Sequence, residues 1–121
     1  MKDISTEIEY KGKKLKMVFD LNVMQAIQDE YGTFGKWGDL TDGKDEDHSE
    51  GKEPNVKAII FAVKEMLNEG IEIQNEENGT GEKPFTHRQV GRIITDLGIA
   101  EMNKQMKQTV IASTQSTEKN V

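Results

Sequence analysis

The chain has 121 residues, of which 34% are hydrophobic and 31% are charged, so it has room for one domain with a modest aliphatic core. It has no cysteine, which excludes disulfides and thiolate chemistry. It shows neither a bilayer-spanning run of roughly 20 apolar residues nor a signal peptide, so we expect a cytoplasmic protein without membrane contact. The net charge of −6 disfavours a nucleic-acid partner, because an acidic protein gains no free energy from releasing the counterions of phosphates.

The first segment, residues 4–19, alternates apolar and polar residues with the period of a half-buried strand. Its apolar positions are Ile8, Tyr10, Leu15, Met17 and Phe19. A turn that contains Gly12 divides the segment, so the pattern predicts a β-hairpin. Because a lone hairpin is marginally stable in water, its apolar side must pack on the helices that follow.

A first helix is predicted to begin after Asp20, which can cap it, and to end at Gly32. Its apolar residues recur three or four apart, at Leu21, Met24, Ile27 and Tyr31. The next segment, residues 32–40, contains three glycines and the only tryptophan, Trp37. Two interpretations of Trp37 stay open: a side chain that fills the core, or an exposed anchor for a partner protein.

Residues 41–53 contain no apolar side chain and are predicted to form a mobile acidic loop. With Asp39, this part of the chain holds seven acidic residues against two lysines, which is most of the net negative charge. A calcium site is the alternative, but the Asp-x-Asp-x-Asp-Gly order of a calcium loop is missing. We therefore predict no metal site, and we expect His48 to be a solvated surface residue.

Residues 54–70 have the strongest helical pattern and are predicted to form the central helix. Pro54 suits a first helical turn, and Gly70 suits the left-handed residue that follows a helix. A brief extended piece at 71–73 and a polar loop at 75–83 are expected next. The apolar residues of the helix lie three and four apart, with others beside them that widen the face, so we expect it to be covered on most sides: Val56, Ile59, Ile60, Val63, Met66 and Leu67.

The next helix has the clearest start in the chain, because Thr86 and Gln89 have the spacing of a capping box. Gly98 is expected to end this helix. A last helix is predicted over about residues 100–112, and the polar residues 113–121 are predicted to be a disordered tail.

These elements predict an α+β fold that is mainly α. In this fold, an N-terminal β-hairpin packs on a bundle of about four helices within a single domain, residues 1–112.

No residue pattern predicts catalysis or a cofactor. His48 and His87 have no acidic partner that sequence spacing would bring to them, and no glycine-rich phosphate loop follows a strand. Ser49 lies in the acidic loop and Ser113 and Ser116 lie in the polar tail, outside any nucleophile motif. We therefore expect a protein that is not an enzyme and that binds neither a cofactor nor a metal.

The segment THRQVGRIITDLGI, residues 86–99, resembles the opening of a DNA-binding helix-turn-helix. Arg88 and Arg92 lie four apart and therefore share one helix face. Such a face is more typical of a solvated stripe than of a phosphate clamp, so a DNA-binding regulator is the weaker alternative.

The last helix offers the best candidate surface for a protein partner. Methionine is flexible and polarizable, which suits adaptable contacts, and two methionines lie one turn apart in this helix. The stripe is either core packing or, if the helix is loosely docked, a surface for a helix-in-groove contact. With Trp37, the candidate partner-binding residues are Ile99, Met102, Met106 and Val110.

In layout and apolar pattern, the chain resembles the tail assembly chaperones of long-tailed bacteriophages, especially those of Gram-positive hosts. Three stretches carry the resemblance and cover most of residues 8–98. They are the hairpin-to-helix segment LKMVFDLNVMQAIQDEYGTFGKW, the central VKAIIFAVKEMLNEG, and FTHRQVGRIITDLG, where a threonine-capped helix ends in glycine.

The resemblance implies a non-enzymatic protein that binds the long, mostly helical tape measure protein and keeps it soluble until the tail tube assembles around it. It also implies a location in the bacterial host cytoplasm and absence from the mature virion. Contact with the tail tube protein and self-association stay open, and a small tail or head-completion protein of the virion is the alternative within the same biology.

Overall fold

The computed structural model describes residues 5–44 and 53–119, with side chains as far as Thr114. Over these residues, a two-stranded antiparallel hairpin precedes five helices, which confirms the predicted α+β, mainly α, class. His48 and most of the predicted acidic loop, residues 45–52, lie outside the described residues. The elements are β1 (Thr6–Tyr10), β2 (Lys13–Met17), α1 (Leu21–Tyr31), α2 (Phe34–Thr41), α3 (Val56–Asn78), α4 (His87–Leu97) and α5 (Ile99–Lys119).

The hairpin forms because its apolar alternation is joined to a tight two-residue turn. Lys11 and Gly12 both have positive φ angles, 50° and 79°, as in the turns whose twist matches that of paired strands. This turn places Ile8 opposite Leu15 in the register. Ile8 and Met17 are buried against the helices, as predicted for the apolar side of the hairpin.

Helix α3 is the central element, as predicted, because it contacts β2 and every other helix among the described residues. Asn55 caps its start by accepting a hydrogen bond from the backbone N–H of Ala58, so Pro54 precedes the helix instead of lying in its first turn. Its buried residues are Ala58, Ile59, Ala62, Val63, Met66, Leu67 and Gly70.

Two predictions about the end of α3 are wrong. The helix continues through Gly70 to Asn78 and ends at Gly79, which has the left-handed φ of 66°. Residues 71–73 are therefore helical and not extended. Gly70 instead lies where the hairpin crosses the helix, and there the backbone N–H of Val18 donates to the carbonyl oxygen of Met66 at 3.1 Å.

The side-chain caps predicted for α1 and α4 are present. The Asp20 carboxylate accepts from the backbone of Val23 at the start of α1, and Thr86 and Gln89 form both hydrogen bonds of a capping box at the start of α4. Gly32 and Gly98 follow the last residues of these two helices.

The glycine-rich segment after α1 forms a helix, α2, which the sequence pattern did not predict. Thr33 caps it by accepting from the backbone N–H of Lys36 at 3.0 Å. Thr41, assigned above to the acidic loop, is the last residue of α2 and is fully buried. Its hydroxyl donates to the carbonyl oxygen of Gly38 at 2.9 Å, which satisfies the polar group of the side chain.

The last helix is longer than predicted. It continues past residue 112 to Lys119, so the prediction that disorder begins at Ser113 is wrong. Ser113 is buried, and its hydroxyl donates to the carbonyl oxygen of Phe19 at 2.7 Å. This hydrogen bond offsets the cost of removing the hydroxyl from water.

A candidate protein-binding groove

Trp37 is a core residue, so its interpretation as an exposed partner anchor is wrong. Its side chain is 1% exposed, and its indole Nε1–H donates to the carbonyl oxygen of Ala58 at 3.1 Å. The ring centroid lies 5.1 Å from that of Phe34. The tryptophan thus joins α2 to the first turn of α3.

The predicted methionine stripe is the inward side of α5. Met102 and Met106 are fully buried, and Val110 is partly buried against the core. Met102 and Met106 are therefore unavailable to a partner, and for them core packing, the other interpretation given above, is correct. Ile99 is the exception among the five candidates, because 39% of it is exposed.

Polar contacts far apart in sequence hold α5 in place. The Asn103 amide donates to the carbonyl oxygen of Thr41 at 3.0 Å, and the Lys107 ammonium lies 2.9 Å from an Asp42 carboxylate oxygen. Farther along, the hydroxyls of Thr109 and Thr6 are hydrogen-bonded, which joins α5 to β1. Because α5 is anchored at these points, a partner would meet its outer residues and its N-terminal end.

An open groove lies where α4 meets the start of α3 and the start of α5. It encloses about 670 Å³. Val56 is 51% exposed and Ile60 is partly buried, so apolar surface faces solvent here. Gly91 removes a side chain from the middle of the α4 wall. The apolar part of the lining consists of Val56, Ile60, Gly91, Ile94 and Ile99, and the polar part of His87, Arg88, Arg92 and Thr95.

A second, smaller groove of about 360 Å³ adjoins the first at Ile99. Pro54 and Ala100 contribute apolar surface to it, and Lys104 and Lys107 contribute cationic side chains. Ile99 lines both grooves. We refer to the two adjoining grooves together as the Ile99 groove.

The border of the Ile99 groove is cationic although the whole chain is acidic. Arg88 and Arg92 have no ion-pair partner among the described residues, and Lys104 has none either. Lys107 is partly compensated, because it pairs with Asp42 and lies 5.1 Å from the centroid of the Trp37 ring. In the part of the chain that the structure describes, no aspartate or glutamate lines either groove.

The polar groups of the groove do not form a recognisable catalytic arrangement. Besides His87, Arg88 and Arg92, the only polar side chain that the described residues contribute to the lining of the larger groove is the hydroxyl of Thr95. Among the described residues, no carboxylate lines it. Over residues 5–44 and 53–119, no three histidines, aspartates or glutamates lie close enough together to hold a metal ion. The groove therefore offers apolar contact and positive charge.

The clearest perturbed acid lies elsewhere, between α1 and α3. A hydrogen bond with the Asp20 carboxylate and, to a smaller extent, partial burial raise the pKa of the Glu69 carboxyl to about 7. The Asn22 amide donates to Glu69 at 2.9 Å and acts in the opposite direction. Since Asp20 is also the cap of α1, this pair has a structural role in joining the two helices.

The connection between α4 and α5 differs from that of a helix-turn-helix. Gly98 alone separates Leu97, the last residue of α4, from Ile99, the first of α5. A DNA-binding helix-turn-helix uses a turn of about three to four residues. The arrangement therefore does not match a DNA-binding helix-turn-helix.

Comparison with protein-family models, with curated proteins and with solved structures finds no match to this chain. None of the helices in the described part of the chain is both long enough and apolar enough to cross a membrane.

Proposed function

We propose that the protein is a tail assembly chaperone of a long-tailed bacteriophage or prophage, and that it holds helical segments of the tape measure protein in the Ile99 groove. It acts in the cytoplasm of the bacterial host, performs no catalysis and is left out of the mature virion. The single observation that carries the proposal is the exposed apolar groove where α3, α4 and α5 meet.

The exposure of Ile99 and Val56 supports this role. Isolated exposed apolar residues are ordinary, but these two border one concave surface together with Ile60. An open apolar groove between helices fits the apolar stripe of an amphipathic helix, which is the form of a mostly helical client. Contact with such a stripe would cover the surface that makes the client aggregate.

The charge of the chain supports the same role. A holdase must present apolar surface while remaining soluble, and a net charge of −6 opposes association between copies of the chaperone. Repulsion between copies leaves the groove open for a client.

Co-expression with the tape measure protein tests the proposal. The client is the product of a long, coiled-coil-rich reading frame directly downstream of this gene, and its soluble fraction should rise when the intact chain is present. The Ile99→Asp variant should lose this effect, because a carboxylate would lie in the centre of the apolar surface. Asp at the first position of α5 does not disfavour the helix.

A matched control is available on the same helix. Ile111 is 53% exposed and lines neither groove, so Ile111→Asp changes charge and exposed apolar area in a similar way. This variant should raise the soluble fraction of the client as much as the intact chain does. If the intact chain leaves the soluble fraction of the client unchanged, the proposal is contradicted. Detection of the chain in purified phage particles would support a structural virion protein. Retention of the chain on duplex DNA would support a DNA-binding regulator.

A further inference from the structure

We propose that the Ile99 groove selects amphipathic helices that carry two carboxylates four residues apart beside their apolar stripe, and that Arg88 and Arg92 read this pair. The inference rests on the proposed function, since it names the kind of client helix that the groove accepts.

The distribution of arginine carries the first step. The chain has 16 basic residues, and only two of them are arginines, Arg88 and Arg92. Both line the larger groove. Arginine differs from lysine in presenting a planar set of donors that matches a carboxylate with two parallel hydrogen bonds. The residue type best suited to binding carboxylates thus occurs only at this surface.

The availability of these charges is the second step. Both arginine side chains are exposed and unpaired among the described residues, although Asp96 follows Arg92 by four positions on α4. The nearest acids on either side along the chain, Glu82 and Asp96, line neither groove. A carboxylate that enters the groove therefore meets positive charge without a competing internal partner.

The spacing gives the third step. Arg88 and Arg92 are one turn apart on α4, which separates them by about 6 Å along the helix. Two glutamates at positions i and i+4 of a client helix have the same separation. When the client's apolar stripe contacts Val56, Ile60 and Ile99, a Glu-x-x-x-Glu pair beside that stripe can meet both guanidinium groups.

A phosphate-rich partner fits the same surface less well. The groove has an apolar floor that includes Ile94 and Ile99, which offers nothing to a sugar-phosphate backbone. The net charge of −6 also repels a polyanion at longer range. The combination of apolar floor and cationic border matches a helix that is apolar on one side and acidic beside it.

The test uses three fluorescein-labelled synthetic helical peptides with one common leucine stripe. They differ only at two flanking positions four apart, which are both glutamate, both glutamine or both lysine. Fluorescence anisotropy with the full chain should show that the glutamate peptide binds roughly tenfold more tightly than the lysine peptide at low salt. This difference should shrink as salt screens the exposed charges.

Variants identify the residues responsible. The double variant Arg88→Glu/Arg92→Glu should reverse the preference, and Arg88→Gln/Arg92→Gln should remove it. The control Lys11→Glu/Lys14→Glu makes the same change in net charge at the exposed end of the hairpin, and it should keep the preference for glutamate. Thermal unfolding midpoints of all variants verify that each one folds.

Equal affinity for the three peptides, binding of none of them, or an unchanged preference in the Arg88→Glu/Arg92→Glu variant overturns the inference. Self-association of the chain that Ile99→Asp abolishes also overturns it, because a second copy then fills the groove. If peptides are selected by charge while the tape measure protein stays insoluble, the proposed function fails and the inference stands. If the tape measure protein becomes soluble while the peptides are not selected by charge, the inference fails and the proposed function stands.

Discussion

The carbonyl oxygen of Lys16 lies 2.7 Å from the point that a Cβ atom on Gly70 would occupy. This distance is shorter than a side-chain carbon and a backbone oxygen can tolerate, so β2 rests directly on the backbone of α3. A hydrogen bond from the backbone N–H of Val18 to the carbonyl oxygen of Met66 fixes the same crossing. The hairpin is therefore held by backbone proximity as well as by its apolar side chains.

Gly70→Ala should lower the free energy of unfolding by about 1–3 kcal/mol, because the methyl group must displace the backbone of Lys16. Urea unfolding followed by circular dichroism measures the change. Gly35→Ala in α2 is the matched control, since a Cβ there meets nothing within 4 Å. The control should gain about 0.5–1 kcal/mol from better helix propensity. A Gly70→Ala variant as stable as the intact chain would show that the hairpin does not rest on this point.

The same contact explains why the length of α3 could not be predicted from the sequence. Local pattern assigns a glycine near the end of an apolar stripe to the residue after a helix. In the structure, Lys16 of β2, 54 residues earlier in the chain, occupies the space beside Gly70, and the helix continues to a second glycine, Gly79. A contact between distant segments leaves no trace in the local pattern.

Elements that depend on neighbouring residues were predictable. The Asp20 cap, the capping box at Thr86 and the turn at Gly12 each involve a few consecutive residues, and all three are present. The α2 helix was not predicted because its glycines disfavour it locally. Its cap at Thr33 and the burial of Trp37 outweigh that cost in the folded chain.

The candidate groove was predictable only in part. Ile99 was identified from its place at the end of the α5 stripe, whereas Met102 and Met106 on the same stripe are buried. Helical spacing gives the apolar side of a helix but not the portion of that side that a neighbour covers. The signals that point to the groove were Gly91 inside a strongly amphipathic helix and the arginine pair beside it.

The Glu69 carboxyl should make stability depend on pH. Its pKa is raised to about 7 in the folded protein from an ordinary value of 4.5, so the folded state binds a proton more tightly than the unfolded state. The stabilisation that Glu69 contributes is therefore complete below about pH 4.5 and is lost as the pH rises through 7. Glu69→Gln imitates the protonated form, so it should become more stable than the intact chain as the pH rises from about 4.5 through 7.

Denaturant unfolding of both proteins at a series of pH values measures this difference. Glu77→Gln, at an exposed position of the same helix, changes the charge equally but lacks the hydrogen bond to Asp20, and it should show no such difference. A Glu69→Gln curve parallel to that of the intact chain from pH 4 to 8 would contradict the shared proton.

The hydroxyl of Ser113 should contribute to stability although it lies in a segment whose composition predicts disorder. Ser113→Ala leaves the buried carbonyl oxygen of Phe19 without this donor, so the free energy of unfolding should fall by about 1–2 kcal/mol. Thr114→Ala, which removes a solvent-exposed hydroxyl one residue later, should change it by less than about 0.5 kcal/mol. Equal effects of the two substitutions in thermal and urea unfolding would place the end of the folded domain before Ser113.

Gly91 provides a final prediction, in which stability and binding change in opposite directions. A Cβ atom at this position would approach only the Cδ1 atom of Ile60, at an ordinary contact distance of 3.9 Å. Gly91→Ala should therefore fit without strain and raise the free energy of unfolding by about 1 kcal/mol through helix propensity. The added methyl group also occupies the larger groove, so the variant should bind the glutamate-flanked peptide more weakly.

Gly91→Leu should abolish that binding, because its side chain is large enough to fill the space that a client residue would enter. Gly38→Ala is the control, since it adds a methyl group to α2 with nothing within 4 Å and lies outside both grooves. It should gain stability and keep its affinity. If Gly91→Leu remains folded and binds the peptide as tightly as the intact chain, the client helix does not enter between α3 and α4, and the Ile99 groove is not the binding surface.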